Sequence, residues 1–312
     1  MAVTRRGFFH ANLLAGLGAA AWRAGAQVQA PAVDRQRKGP APRVTPAICL
    51  YSDQLLKVGY EEMAGMIHML GFDGVELMVQ PGGHIEPAHA DLNLERGIEA
   101  MTGSGLDVFA VSTSFTSPQD ATLRLALEWS GQMGIPVFRP GQWKFTDAEP
   151  EARLIEVQRE IAMLASMARQ VGTSLALHNG TADCIGGSLW DLYFILRGLD
   201  QKAVGYDFDI GYAAAQGGDT GWKTAFRLTA PRLKMVTARD CYWNKDSGAW
   251  KLVECPLGEG MVDWPAFLAE LARVKYAGPV SLHLGYSPKD EFAAIRKDQQ
   301  FLKKQLAAAF GG

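Results

Sequence analysis

Gly71-Phe72-Asp73-Gly74-Val75-Glu76-Leu77-Met78-Val79 is the stretch on which the fold turns. A glycine-led lead-in runs into six residues that are apolar except for Glu76, and Leu92 to Thr102 follows with helical spacing. A short strand joined to a helical pattern reads as a β-α unit, and repeated units of this kind imply a parallel sheet. The alternation recurs on both sides, eight times in all between Ala47 and Phe310. Upstream, Ile48 to Ser52 reads as a strand and Leu55 to Leu70 as its helix. Downstream, strands are expected at Val108 to Ser112, Pro136 to Arg139, Leu175 to His178, Ala203 to Phe208, Leu233 to Ala238 and Val280 to Leu284. Their helices run from about Pro118 to Met133, Glu149 to Val171, Leu189 to Leu199, Trp222 to Thr229, Trp264 to Val274 and Lys289 to Ala309. Pro118 suits a first helical turn. Arg239 to Val262 is a long connection rich in Trp and Gly.

Eight such units predict a single-domain α/β fold over residues 47–312, a (β/α)8 barrel with its active site at the C-terminal strand ends. The rival is an open doubly wound sheet. No glycine-rich phosphate loop follows the first strand, which disfavours the dinucleotide-binding version of that rival. Gly82-Gly83, Gly186-Gly187 and Gly217-Gly218 instead read as flexible turns in rim loops. The 312 residues are 48% hydrophobic and 21% charged, enough for one large core. A formal charge of −2 without a basic stripe or acidic block points away from a nucleic-acid partner.

Residues 1–26 have the order of an export signal. Thr4-Arg5-Arg6-Gly7-Phe8-Phe9 carries a twin-arginine pair, Ala11 to Trp22 is apolar but short for a bilayer span, and Ala24-Gly25-Ala26 offers a cleavage site. This resembles a bacterial twin-arginine signal, a receptor-read address rather than an anchor, and implies a periplasmic protein handled by that export machinery. Residues 27–46, with four prolines, read as a linker or an arm against the domain. Cys49, Cys184, Cys241 and Cys255 form no C-x-x-C pair, so buried thiols are expected rather than a zinc knuckle or redox motif.

Chemically useful side chains collect where strands end. Glu76 is a carboxylate in an apolar strand, which must be paired, hydrated or functional. His178-Asn179 closes strand five, and Arg139 closes strand four. Asp207 and Asp209 lie on one face of strand six, with Asp209 nearer the rim. Arg239-Asp240 follows strand seven; Arg239 can meet an anionic group or pair with Asp240 itself. His283 lies opposite Leu282 and Leu284, hence towards the lumen if the leucines face the helices. Trp143, Tyr212, Trp243 and Trp250 fall near the same rim, where aromatic faces suit sugars, and His84 and His89 lie in the loop after strand two.

Gly71-Phe72-Asp73-Gly74-Val75-Glu76-Leu77, Gly82-Gly83-His84, Leu177-His178-Asn179, Asp209, Pro256-Leu257-Gly258-Glu259-Gly260 and Gly278-Pro279-Val280-Ser281-Leu282-His283 together resemble the sugar phosphate isomerase/epimerase family of xylose isomerase-like TIM barrels, most closely its exported bacterial branch. The resemblance spans about residues 45 to 310. It implies a divalent cation held by glutamates of strands five and eight, an aspartate of strand six and a histidine of strand seven, with the glutamates moving the substrate proton. The matching positions here are His178, His283, Asp209 and Thr237, so only the aspartate is retained. Tyr212 replaces a histidine, Gly285 an acid, and Arg239 a lysine of that branch.

Two imidazoles and a carboxylate, His178, Asp209 and His283, can form an open site for Mn, Zn, Fe or, less well, Mg; alternatively the metal is lost. The resulting expectation is an exported sugar isomerase or epimerase moving a proton beside a carbonyl. Glu76, Asp240 and His178 would be its acid/base groups, and His84, Asn179, Arg139, Tyr212, Arg239 and Trp243 its substrate contacts. A lyase eliminating from 3-keto-glycosides and a carbohydrate-binding protein without turnover are the alternatives. In each case the partner is a small carbohydrate or glycoside, with the oligomeric state left open.

Overall fold

Gly74–Val79 forms a strand as read, buried at every residue. The structure, a computed structural model, describes residues 45–181 and 183–311. The expected signal and nearly all of the expected linker lie outside them. In chain order the strands are β1 (Ile48–Tyr51), β2 (Gly74–Val79), β3 (Asp107–Thr113), β4 (Val137–Arg139), β5 (Ser174–His178), β6 (Val204–Asp209), β7 (Leu233–Ala238), β8 (Asp240–Asp246), β9 (Ala249–Cys255) and β10 (Val280–Leu282). The helices are α1 (Tyr60–Leu70), α2 (Ala90–Gly103), α3 (Ala121–Gln132), α4 (Pro150–Val171), α5 (Leu189–Leu196), α6 (Ile210–Thr229), α7 (Trp264–Arg273) and α8 (Glu291–Phe310). Strands β1-β10-β7-β6-β5-β4-β3-β2 close into a parallel barrel, while β8 and β9 pair separately as an antiparallel hairpin.

Strand periodicity sorts the side chains into two populations. Leu50, Val75, Leu77, Val111, Phe138, Leu175, Leu177, Phe208, Val236 and Leu282 belong to the large apolar shell shared with the helices. The alternate positions Ala110, Val137, Ala176 and Met235 form a small separate cluster in the lumen. Two residues on, the same faces carry Ser112, Arg139, His178 and Thr237. The lumen therefore changes from small and apolar to charged over one step along four strands. That step is what positions the site.

Most expected elements lie within a few residues of the observed ones. Pro118 does not open α3; Asp120 does, accepting from the Thr122 and Leu123 amides. Helix α6 begins directly after Asp209, twelve residues before the expected Trp222, and Gly217-Gly218 sits inside it at a kink where Gly218 has φ 60°. The long connection after β7 is the β8–β9 hairpin, closed by Ser247 and Gly248, both at positive φ. Its solvent-facing composition hid it, since most of its residues are exposed. All four cysteines are buried. Among the described residues no helix is long and apolar enough to cross a membrane.

Candidate functional site

Glu76 anchors one half of the upper lumen. Its side chain is fully buried. Oε1 accepts from the Ser112 hydroxyl and lies 2.8 Å from Arg139 Nε. Oε2 accepts from Ser281 Oγ at 2.6 Å and faces His283 Nε2 at 3.0 Å. Burial opposes ionisation, but Arg139 and then His283 outweigh it and hold this carboxyl well below the usual range. Tyr51 stacks on His283 with ring centroids 4.2 Å apart, and Arg139 lies over the same tyrosine.

Asp209 anchors the other half. It is the N-cap of α6, with Oδ1 accepting from the Tyr212 amide at 3.0 Å. Its Oδ2 meets Arg239 Nε at 2.8 Å and His178 Nε2 at 3.2 Å. Arg239 extends further, donating from Nη1 to Glu254 at 2.6 Å and from Nη2 to His283 Nδ1 at 3.3 Å. Tyr212 closes the group, its hydroxyl 2.7 Å from Glu254 and its ring beneath the Arg239 guanidinium. Burial resists the charge on Asp209, yet Arg239 and His178 keep its carboxyl well below the ordinary range.

The imidazole tautomers follow from these contacts. Arg239 can only donate, so His283 accepts at Nδ1 and donates from Nε2 to Glu76. Burial pushes this ring down to about 4 despite Glu76 beside it, so it is neutral near pH 7. His178 contacts the Gln142 amide nitrogen through Nδ1 at 3.0 Å and thus donates from Nε2 to Asp209. Asp207 lies deeper, bonded to Thr237, and burial lifts it to about 6 against the pull of His178 and Arg139.

One carboxylate of the mouth stands apart from these ion pairs. Asp53, just beyond β1, is half-buried and accepts from Gln54 at 2.7 Å. Burial raises it to about 6, against the Gln54 hydrogen bond and the charge of Arg239.

A closed parallel eight-stranded barrel of this kind has known counterparts. The profile of the xylose isomerase-like TIM barrel family matches residues 66–305. The chain belongs to that family. Solved members of similar fold include a xylose isomerase-like protein from Mycobacterium smegmatis in complex with magnesium (15% identity, 85% of this chain and 98% of that one, TM-score 0.66). A 3-keto-D-glucoside 4-epimerase from E. coli aligns at 18% identity over 83% of this chain and 99% of that one, TM-score 0.67. A D-allulose 3-epimerase from Methylomonas sp. in complex with D-allulose aligns at 15% over 85% of this chain and all of that one, TM-score 0.63. No curated protein matches the sequence.

The xylose isomerase-like family raises the question of a divalent metal, and the donor set here does not fit one. The expected triad His178, Asp209 and His283 does not form a ligand cage. The Asp209 oxygens and the ring nitrogens of both histidines already face other side chains or backbone amides. Among the described residues no group of three or more His, Cys, Asp or Glu side chains is arranged to hold a metal ion.

Other expected roles change as well. Asp240 is no rim acid: Oδ1 accepts from the Cys241 and Val262 amides, and Oδ2 from the Gly258 amide and Trp264 Nε1. It is a buried knot tying the hairpin to α7. Asn179 exchanges two hydrogen bonds with the Asp209 backbone and so positions that residue. Arg139 pairs with Glu76 instead of standing free. His84 Nε2 contacts the Leu55 carbonyl and ties two loops together. Trp243 donates its indole N–H to the Ala215 carbonyl, fastening the hairpin to α6. Arg239 and Tyr212 are in the cluster, facing its own carboxylates. Sequence reading passed over Asp53, Gln142 and Glu254. Asp53 had a findable signal, an acid just past the first strand; Glu254 came from a connection with no visible strand pattern.

Proposed function

We propose that this barrel moves a proton beside the carbonyl of a small carbohydrate or glycoside, as an isomerase or epimerase. The observation that carries the reading is the fixed guanidinium of Arg239 between Asp209 and His283 at the C-terminal mouth, with Asp53 near pKa 6 within reach of its field. Proton abstraction beside a carbonyl needs a base tuned near the working pH and a donor for the developing oxyanion. Asp53 supplies the first: its carboxylate takes the proton from carbon. Arg239 supplies the second, because bonds to Asp209, Glu254 and His283 use three of its five N–H groups. Return of the proton from Asp53 to the neighbouring carbon, with a hydroxyl proton passing between the two oxygens, gives the isomer; return to the opposite face of the same carbon, after the enolate has turned in the site, gives the epimer. Glu76, held ionised by four partners, is a poor base and serves to fix Arg139 and His283.

The test is solvent deuterium uptake into a panel of ketoses, aldoses and 3-keto-glycosides by the mature chain. Asp53→Asn is expected to lower the exchange rate about 10²–10⁴-fold while leaving sugar binding intact. Release of an aglycone from the 3-keto-glycosides would identify an eliminating lyase instead. A second reading has its own support: the charged side chains of the rim largely satisfy one another, which suits a carbohydrate-binding protein. Tight binding with no exchange into any sugar of the panel would favour it. Export to the periplasm is part of the proposal, supported by Arg5-Arg6 and the apolar run after them. Replacing both arginines by lysine is expected to retain the chain in the cytoplasmic fraction.

A further inference from the structure

We propose that Arg239 occupies the place of a divalent cation in this barrel, so that the site carries its positive charge as part of the chain and takes no metal. The inference concerns the ligand atoms and stands whether or not the chain turns over a sugar. The guanidinium bridges the ends of β6 and β10 directly, with Nε on Asp209 and Nη2 on His283. These are two of the three side chains that a bound ion would draw together. The third, His178, shares the same Asp209 oxygen. A cation there would have to displace Arg239 from the buried Asp209 carboxylate, stripping its Nε of that acceptor and leaving Glu254 to balance a buried guanidinium.

Gly285 shows that the arrangement extends beyond one rotamer. Its φ is +68°, and a Cβ there would stand 2.6 Å from Arg239 Nη1 and 2.6 Å from Glu254 Oε2. A side chain at this position would have to push the Arg239–Glu254 pair aside. Glu254, delivered from the hairpin strand β9, brings a carboxylate to the guanidinium from above. Tyr212 covers its face, with the Arg239 carbon 4.7 Å from the ring centre. Burial works against the charge of Arg239, and Asp209 more than restores it, so the guanidinium remains a permanent cation. Unlike a metal ion it cannot dissociate, and its remaining N–H groups meet ligand oxygens by hydrogen bonding. The matching ligand is a neutral polyol or carbonyl sugar.

Metal binding read directly decides the matter. The full chain, stripped with chelator, is titrated with Co²⁺ while visible d–d absorption, stoichiometry and Tm are followed. The expected result is no stoichiometric ion and no change in Tm with chelator or Co²⁺. Arg239→Ala frees Asp209 and both imidazoles, and is expected to bind Co²⁺ about 10–100-fold more tightly than the parent, with a new absorption band. Adding Asp209→Asn to that variant is expected to abolish the band. One equivalent of Co²⁺ on the parent chain, lost on Asp209→Asn, overturns the proposal; so does a folded Arg239→Ala that gains no affinity. Should Arg239→Ala not fold, the parent titration decides by itself. Sugar exchange is read in a different assay, so failure of either claim leaves the other measurable.

Discussion

The two faces of the same eight strands follow opposite rules. Facing the helices, Phe208 meets Phe226 edge-on and stacks on Phe267, with centroids 5.3 and 5.9 Å away. Facing the lumen one residue on, Asp209 is equally buried and lives entirely on charged and hydrogen-bonded partners. The outer face is held by volume, which has no single indispensable partner. The inner face is held by pairing, in which removal of one member strands another. The difference predicts how each face breaks.

Phe208→Ala gives the largest loss, about 3–5 kcal/mol in urea unfolding, because the cavity cannot refill from a close-packed shell. No second truncation nearby should restore it. Arg139→Met should cost slightly less, about 3 kcal/mol, by removing the guanidinium that offsets the charge of buried Glu76. Adding Glu76→Gln to that variant is expected to regain at least half of the loss. Additive costs in this double-mutant cycle would break the proposed distinction between the faces.

The helix-facing side was legible in the sequence because it depends on periodicity alone. Leu233–Ala238 and Gly74–Val79 were delimited to the residue by alternation and glycine punctuation. Glu76, His178, Asp209, Arg239 and His283 were also found, since polar atoms at strand ends are conspicuous. Their partners were not. Asp240 sits beside Arg239 in the chain yet points into a separate nest of amides, because consecutive residues leaving a strand diverge. Glu254 reaches Arg239 only because a hairpin folds over the mouth, a long-range pairing that no local pattern announces. A set of side chains can therefore be named from sequence while its charge balance stays hidden, and here that balance separates a metal site from a guanidinium site.

Gly285→Ala sharpens the inner rule with a smaller change. The new methyl collides with Arg239 and Glu254 while the backbone keeps a positive φ. We expect a loss of about 1–2 kcal/mol in thermal or urea unfolding. In the Glu254→Ala background the penalty should shrink to that of the backbone alone.

The smallest effect lies outside the lumen and tests pairing by pH. Asp298 on α8 is buried, accepting from the Leu257 amide at 3.2 Å and from the Tyr286 hydroxyl at 2.9 Å. Burial lifts its carboxyl to about 6 because these two neutral donors do not offset the desolvation. A raised acid pKa means that folding favours the protonated form, so its contribution is fully present below the unfolded value near 4 and is lost as pH rises through about 6. Asp298→Asn keeps an acceptor for Leu257 and removes the titration. Relative to the parent, its stability should therefore rise between pH 4 and pH 7 by about 1–2 kcal/mol, then level off. Urea unfolding of both chains across that range reads the difference. A flat difference would mean that Asp298 is ionised without cost, and that neutral hydrogen bonds alone can carry a buried carboxylate outside the barrel as guanidinium pairing does within it.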